Sequence, residues 1–304
     1  KSFIKQFFTL TMRKLKTLFN NKPQMILLFG QAPLIAILSS FVVTKDIFYS
    51  YEETKSVLFT LATASFWIGL LNAIQEVCRE KVILFKEYMS DLRVSAYISS
   101  RVVYFMILAL IQSLLLIGTF VLVVDVPPSG IQFPWFVECS IVIFLTILSA
   151  SSMGLFVSCL AKDPSVALTM PALLLIPQML FSGILFPLDG IVDKFSNFIL
   201  CRWSIEALGT TNDLNSLVTA IQEIIPGYVR DAESYFTYTV EHFSFDLAVI
   251  NIFVKFAFAF TNSNSSQRVT HAVQRGNQHF NGTVDCQNQG VGNQSLLSGE
   301  TNTG

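Results

Sequence analysis

The stretch IQEVCREKVILFKEYMSDLR, Ile74 to Arg93, holds eight charged side chains: Glu76, Arg79, Glu80, Lys81, Lys86, Glu87, Asp91 and Arg93. It separates two long uncharged runs, Ser56 to Ile74 and Val102 to Val124. Within it Val82, Phe85, Met89 and Leu92 recur at helical spacing, with charged and polar residues at the other positions, so it reads as a short amphipathic helix. A wet helix strung between two greasy segments makes sense only if those segments lie in a different solvent.

Three more uncharged runs occur, Met25 to Val43, Cys139 to Ala161 and Val166 to Leu188, and each of the five has at least 19 residues. At about 1.5 Å per residue such a run covers a hydrocarbon core of about 30 Å. The 304-residue chain is 52% hydrophobic and 13% charged, against about 25% charged in soluble domains, and its mean hydropathy is +0.55. Lipid offers no partner to backbone N–H and C=O groups, so the runs must be helices. The fold class expected is an all-α membrane protein, a bundle of six transmembrane helices with the sixth short or incomplete.

The outlying segments complete the plan. Residues 1–24 read as an amphipathic basic helix, with Ile4, Phe7, Phe8, Met12, Leu15, Leu18 and Phe19 on one face and Lys5, Gln6, Thr9, Arg13 and Lys16 on the other; it should lie along the membrane surface. Residues 25–188 carry five spans, with the charged loop 75–101 between the second and third. The Lys162–Ser165 turn makes the fourth and fifth antiparallel neighbours, the small residues Ser149 to Gly154 permit close helix contact, and Pro171 and Pro177 should kink the fifth. Residues 189–245 read as an external loop with short interfacial or re-entrant helices and Trp203 as a belt residue. Residues 246–260 read as a sixth helix too short to span, with Lys255 near its centre. In residues 261–304, 13 of 44 are Asn or Gln, a composition expected to stay disordered.

Orientation follows from Lys and Arg in the connections: twelve fall in the leading segment, the 75–101 loop and the Lys162 turn, and five in the alternate connections. The first group is expected in the cytoplasm and the protein in the plasma membrane. The sequence begins at Lys1 with a basic helix where a signal peptide would stand, so it reads as a piece of a longer protein.

Chemistry-bearing motifs are absent: there is no phosphate loop, GxGxxG, HExxH or GxSxG. Asp125 and Glu138 edge apolar runs, where carboxylates usually face water. The five cysteines show no CxxC pair, Cys139 and Cys159 read as packing residues, and Cys201 as an external residue open to a disulfide. His242, His271 and His279 lie outside the expected spans, so no metal site and no catalytic residue is named. A formal net charge of −1 gives no pull toward nucleic acid.

Two stretches carry a family resemblance. Asn72 to Tyr104 resembles the first intracellular loop, with its coupling helix, of the membrane domain of G-subfamily ABC exporters, the type-2 exporter fold. Pro177 to Gly209 is similar to the fifth span and external re-entrant helices of that family. The resemblance implies a subunit that pairs with a second copy of the membrane domain, each served by an ABC nucleotide-binding domain that holds ATP and Mg. Contact with that ATPase would fall on Glu80, Lys81, Val82, Phe85 and Glu87, and an inner substrate cavity on Ser65, Ile68, Ile176, Met179 and Leu180. An apolar gate would fall on Ile184 and Leu185. The function implied is export of a lipid-like or amphipathic substrate by alternating access, with no cofactor on this chain. The rival reading is a multi-span scaffold or sensor that binds a cytoplasmic partner without transport; a phosphate loop upstream of Lys1 would decide for the transporter.

Overall fold

The computed structural model describes residues 2–42, 48, 50–89, 92–161, 163–184, 190–218 and 236–263. They are helical, with no strand among them. In order come α1 (Phe3–Asn20), α2 (Lys22–Val42), α3 (Tyr51–Ala73), α4 (Glu76–Met89), α5 (Val94–Val123), α6 (Trp135–Leu160), α7 (Pro164–Leu180), α8 (Ile191–Ser196) and α9 (Leu200–Thr211), then α10 (Val240–Ser263). Five of these, α2, α3, α5, α6 and α10, are long and apolar enough to cross a membrane.

The bundle is built on α3 against α6, its most extensive helix contact, with α5 on one side and α9 wedged between α3, α6 and α7. Glycines at the crossing set the spacing. A Cβ on Gly69 would lie 2.3 Å from the Ile147 carbonyl oxygen, and one on Gly154 would lie 2.8 Å from that of Leu70. The backbones are close enough for the Ser151 hydroxyl to donate across to the Gly69 carbonyl at 3.1 Å. Here the small-residue run Ser149 to Gly154 does what its composition suggests. At the end of α3 the chain breaks at Ile74–Gln75, and the Ser158 hydroxyl of α6 accepts from the Val77 and Cys78 N–H groups at 3.0 and 3.1 Å. Those are orphan donors at the start of α4, so the charged helix is anchored to α6 at its first turn.

A chain of amides crosses the bundle within the apolar layer. Gln31 donates to Asn72 at 3.0 Å, Asn72 donates to Gln112 at 2.9 Å, and Gln112 donates to the Leu28 carbonyl at 2.8 Å. The chain joins α2, α3 and α5 and leaves few amide groups to face hydrocarbon.

Several sequence expectations change. The fifth span, expected to run to Leu188, ends as helix α7 at Leu180 after 17 residues, because Gly183 turns the backbone with a φ of 82° in a region open chiefly to glycine. The sixth helix, expected at 246–260 and short, runs for 24 residues from Val240, about 36 Å. Its first turns carry charge turned toward protein, with Asp246 fully buried. The stretch around Trp203 packs into the bundle: every residue of α9 is buried, and the Trp203 indole donates to the Asn197 carbonyl at 3.0 Å. Cys201 lies inside the same buried helix, where burial pushes its thiol pKa up, and no disulfide joins cysteines among the described residues. Lys55, one of the five Lys and Arg counted above in the alternate connections, is buried over the rings of Tyr51 and Phe236 at 5.5 and 5.6 Å. All but the first three positions of the 261–304 tail, and Leu185, lie outside the described residues.

Glu138 corrects another reading, for it does not face water. It is fully buried and accepts the N–H groups of Ile131, Gln132 and Phe133 at 3.0, 2.6 and 2.9 Å, folding the α5–α6 connection onto its carboxylate. Glu138→Ala should strand three donors and cost about 2–3 kcal/mol, since one orphaned buried group costs about 1–3. The check is a thermal unfolding midpoint in detergent; a midpoint equal to that of the parent would show the loop closes without the carboxylate.

Candidate functional site

The opening stretch forms α4 and part of its approach to α5, and its charges do not simply face water. Lys14 of α1 contacts Glu76 at 2.5 Å and Glu80 at 3.4 Å. Arg101 of α5 lies 3.2 Å from Glu76 and in direct contact with Glu80. The Tyr97 hydroxyl donates to Glu80 at 2.9 Å, while its ring lies 4.8 Å beneath the Arg101 guanidinium. The Lys14 ammonium lies 5.5 Å from the Tyr104 ring centroid. Two cations face two carboxylates, so the cluster is neutral, and Arg101 within it is 1% exposed.

Farther along α4, Arg13 pairs with Glu87, and the Gln6 side chain accepts the Arg93 N–H at 3.1 Å. The helix is therefore held by α1 on one side, α5 on another and Ser158 of α6 at its start. Its inner face carries Val77, Cys78 and Leu84, all buried. Its outer face is a stripe of exposed residues at helical spacing, Arg79, Ile83, Lys86 and Met89. Ile83 and Met89 are 53% and 61% exposed, a large uncovered apolar area for one turn-and-a-half of helix.

Of the expected contact residues, Glu80 and Glu87 point into the molecule and hold α4 in place; the side chains of Lys81, Val82 and Phe85 lie outside the described residues. Sequence reasoning missed Lys14 and Arg101 as partners, since Lys14 was counted only as a cation of the leading helix and Arg101 only as one of the 75–101 loop. Their spacing on α1 and α5 gave no signal that both meet one helix face.

The expected cavity residues lie on packed and on exposed sides of α3 and α7. Ser65 and Ile68 are buried in helix packing, the Ser65 hydroxyl donating to the Leu61 carbonyl at 2.6 Å. Ile176 and Leu180 lie on the exposed side of α7, and Met179 is half-buried. Ile184 packs against the core. Near it Gln178, buried, accepts the Cys201 N–H at 2.9 Å and ties α7 to the first turn of α9.

α1 has two working faces. Leu10, Thr11 and Leu18 are buried against the bundle, whereas Ile4, Phe8, Met12 and Phe19 remain exposed. A second polar cluster, far from α4 in sequence, gathers Arg202 and Glu206 of α9 with His242 and Asp246 of α10. Burial pushes the Glu206 carboxyl up to about 7. His242 thus lies in the first turn of a spanning helix rather than in a loop.

Such an arrangement is that of a polytopic membrane subunit whose charged connecting helix is bonded back onto the bundle and presents an exposed outer face. The chain belongs to the ABC-2 type transporter family, which it matches over residues 5–209; it is an ABC transporter membrane component, a permease. It is similar to the ABC transporter ATP-binding/permease protein Rv1747 of Mycobacterium tuberculosis, with 24% identity over 262 residues. That alignment covers 82% of this chain and 29% of the relative, so the chain spans less than a third of that protein's length.

Proposed function

We propose that this chain is the membrane part of an ATP-driven exporter of the G-subfamily kind, moving a lipid-like or amphipathic substrate across the plasma membrane. A nucleotide-binding domain carrying ATP and Mg, fused or separate, docks on the outer face of α4. The observation that carries this reading is the exposed stripe Arg79, Ile83, Lys86 and Met89 on a helix otherwise bonded to three neighbours. A helix held that firmly transmits force to α3, α5 and α1 instead of yielding to it. Glu80 and Glu87 are then the links that carry the push inward, and Lys81, Val82 and Phe85 complete the contact.

In this reading α7 is a sixth, shorter crossing, and α1 lies on the cytoplasmic surface with Ile4, Phe8, Met12 and Phe19 in lipid. The uncovered sides of α2 and α10, which bury only 17% and 22% of their apolar windows, meet lipid and a second copy of the chain. The substrate path runs between the copies, along Ile176, Met179 and Leu180, with Ser65 and Ile68 reached when α3 tilts. Ile184 and Leu185 close it on the far side, so both ends are not open together.

The test uses the full ATP-binding/permease assembly in lipid nanodiscs. Ile83→Asp with Met89→Asp puts charge into an apolar contact and should weaken docking by about 2 kcal/mol, roughly 30-fold. Substrate-stimulated ATP turnover should fall accordingly while insertion is unchanged. Turnover equal to that of the parent would reject α4 as the docking helix. Loss of binding to a cytoplasmic partner that does not hydrolyse ATP would favour a scaffold.

A further inference from the structure

The geometry points to a divalent transition-metal site, of the kind that takes zinc, formed by Glu206, His242 and Asp246 where α9 meets the first turns of α10. His242 and Asp246 stand four residues apart on one face of α10, with Nδ1 and Oδ2 separated by 3.4 Å. Glu206 comes from α9, its Oε1 3.5 Å from Nε2 of the same imidazole. One donor atom from each of the three lies within 4.8 Å of the others. An ion bonds only one of the two ring nitrogens, and tetrahedral zinc with bonds of about 2.0–2.2 Å holds its donors about 3.4 Å apart, so closing the set turns the imidazole toward one carboxylate and draws the other in by an ångström or more.

Asp246 supplies an independent reason. It is fully buried, and neither of its carboxylate oxygens has a hydrogen-bond partner among the described residues. His242 Nδ1 and Glu206 Oε2 are likewise without one. Buried carboxylates are normally satisfied, and an orphaned one aimed at an imidazole and a second carboxylate calls for a cation. Arg202 takes the other oxygen of Glu206: its guanidinium lies 3.6 Å from Glu206 Oε2 and 3.3 Å from Asp193, which leaves Glu206 Oε1 to face the imidazole. It would orient Glu206 from behind, as outer partners of metal ligands do.

The donor set chooses the metal class. One imidazole and two carboxylates suit zinc and its first-row neighbours, whereas calcium and magnesium prefer oxygen alone. His242 keeps a quarter of its side chain exposed, which gives the ion an entry. A bound ion would clamp α9 to α10, two helices whose connection passes through 219–235, and the proposal stands whether or not the export reading holds.

The experiment titrates Zn2+ into the purified, metal-stripped full chain by calorimetry. One ion per chain is expected, with Mg2+ and Ca2+ giving no comparable heat. Asp246→Asn and His242→Gln should each weaken binding by more than the about 10–100-fold that loss of an outer partner costs. Combined His271→Ala, His279→Ala and Cys286→Ala should leave it unchanged. As a readout independent of variant folding, Co2+ bound to the parent protein should give the visible spectrum of a nitrogen and oxygen site, without thiolate charge transfer. No binding by the parent, binding indifferent to both ligand variants, binding lost with the tail residues, or a thiolate spectrum would each overturn the assignment.

Discussion

Arg101→Met should destabilise the protein by about 3–5 kcal/mol, the cost of removing one partner from a buried ion pair. The side chain is 1% exposed and touches both Glu76 and Glu80, so its loss leaves two carboxylates sharing Lys14 alone. Methionine keeps much of the volume, and the loss is therefore electrostatic rather than a cavity. Neutralising the whole group, with Lys14→Met, Glu76→Gln and Glu80→Gln added, should recover most of the stability, because replacing a complete buried set is often neutral. The comparison is made on thermal unfolding in detergent at low and high salt. A buried cluster is screened little, so the cost should persist at high salt. A single variant as stable as the parent, or a cost that vanishes with salt, would place these charges in water and detach α4 from α5.

That cluster marks where the sequence stops being legible. Long uncharged runs dictate helices in lipid, and α2, α3 and α6 follow from them within about five residues, while α5 begins eight residues ahead of its run and carries the buried Arg101 within it. The amphipathic stretch 74–93 shows its helical period without help. Two helix ends were misread because the runs were bounded by charge alone. α10 begins seven residues before its first long apolar stretch, since Glu241, His242 and Asp246 belong to a helix that turns Asp246 toward protein. α7 ends early because Gly183 bends a backbone that hydropathy treats as continuous. Partners across the bundle are harder still. The amides of Gln31, Asn72 and Gln112 satisfy one another, yet each read singly as a polar residue in a greasy run. Lys14 and Arg101 meet over Glu80 through a tertiary arrangement that no local spacing encodes. The outer face of α4 could have been found from period alone, for Arg79, Ile83, Lys86 and Met89 fall on one side of a helical wheel, opposite Val77 and Leu84.

The second large effect is steric and lies at the α3–α6 crossing. Gly69→Ala places a methyl group 2.3 Å from the Ile147 carbonyl oxygen and 2.9 Å from the Ala150 Cβ, and neither neighbour can rotate away. The helices must separate, which costs about 1–3 kcal/mol and more for Gly69→Val. Separation also lengthens the 3.1 Å bond from Ser151 to the Gly69 carbonyl. It then draws Ser158 from the Val77 and Cys78 N–H groups that start α4. The same substitution at Gly30 or Gly118 meets nothing within 4 Å and should be neutral or stabilising by up to about 1 kcal/mol, because alanine favours a helix over glycine. Thermal unfolding of the four variants side by side is the measurement. If Gly69→Ala matched Gly118→Ala, the two central helices could not be in backbone contact, and the anchoring of α4 to α6 would lose its support.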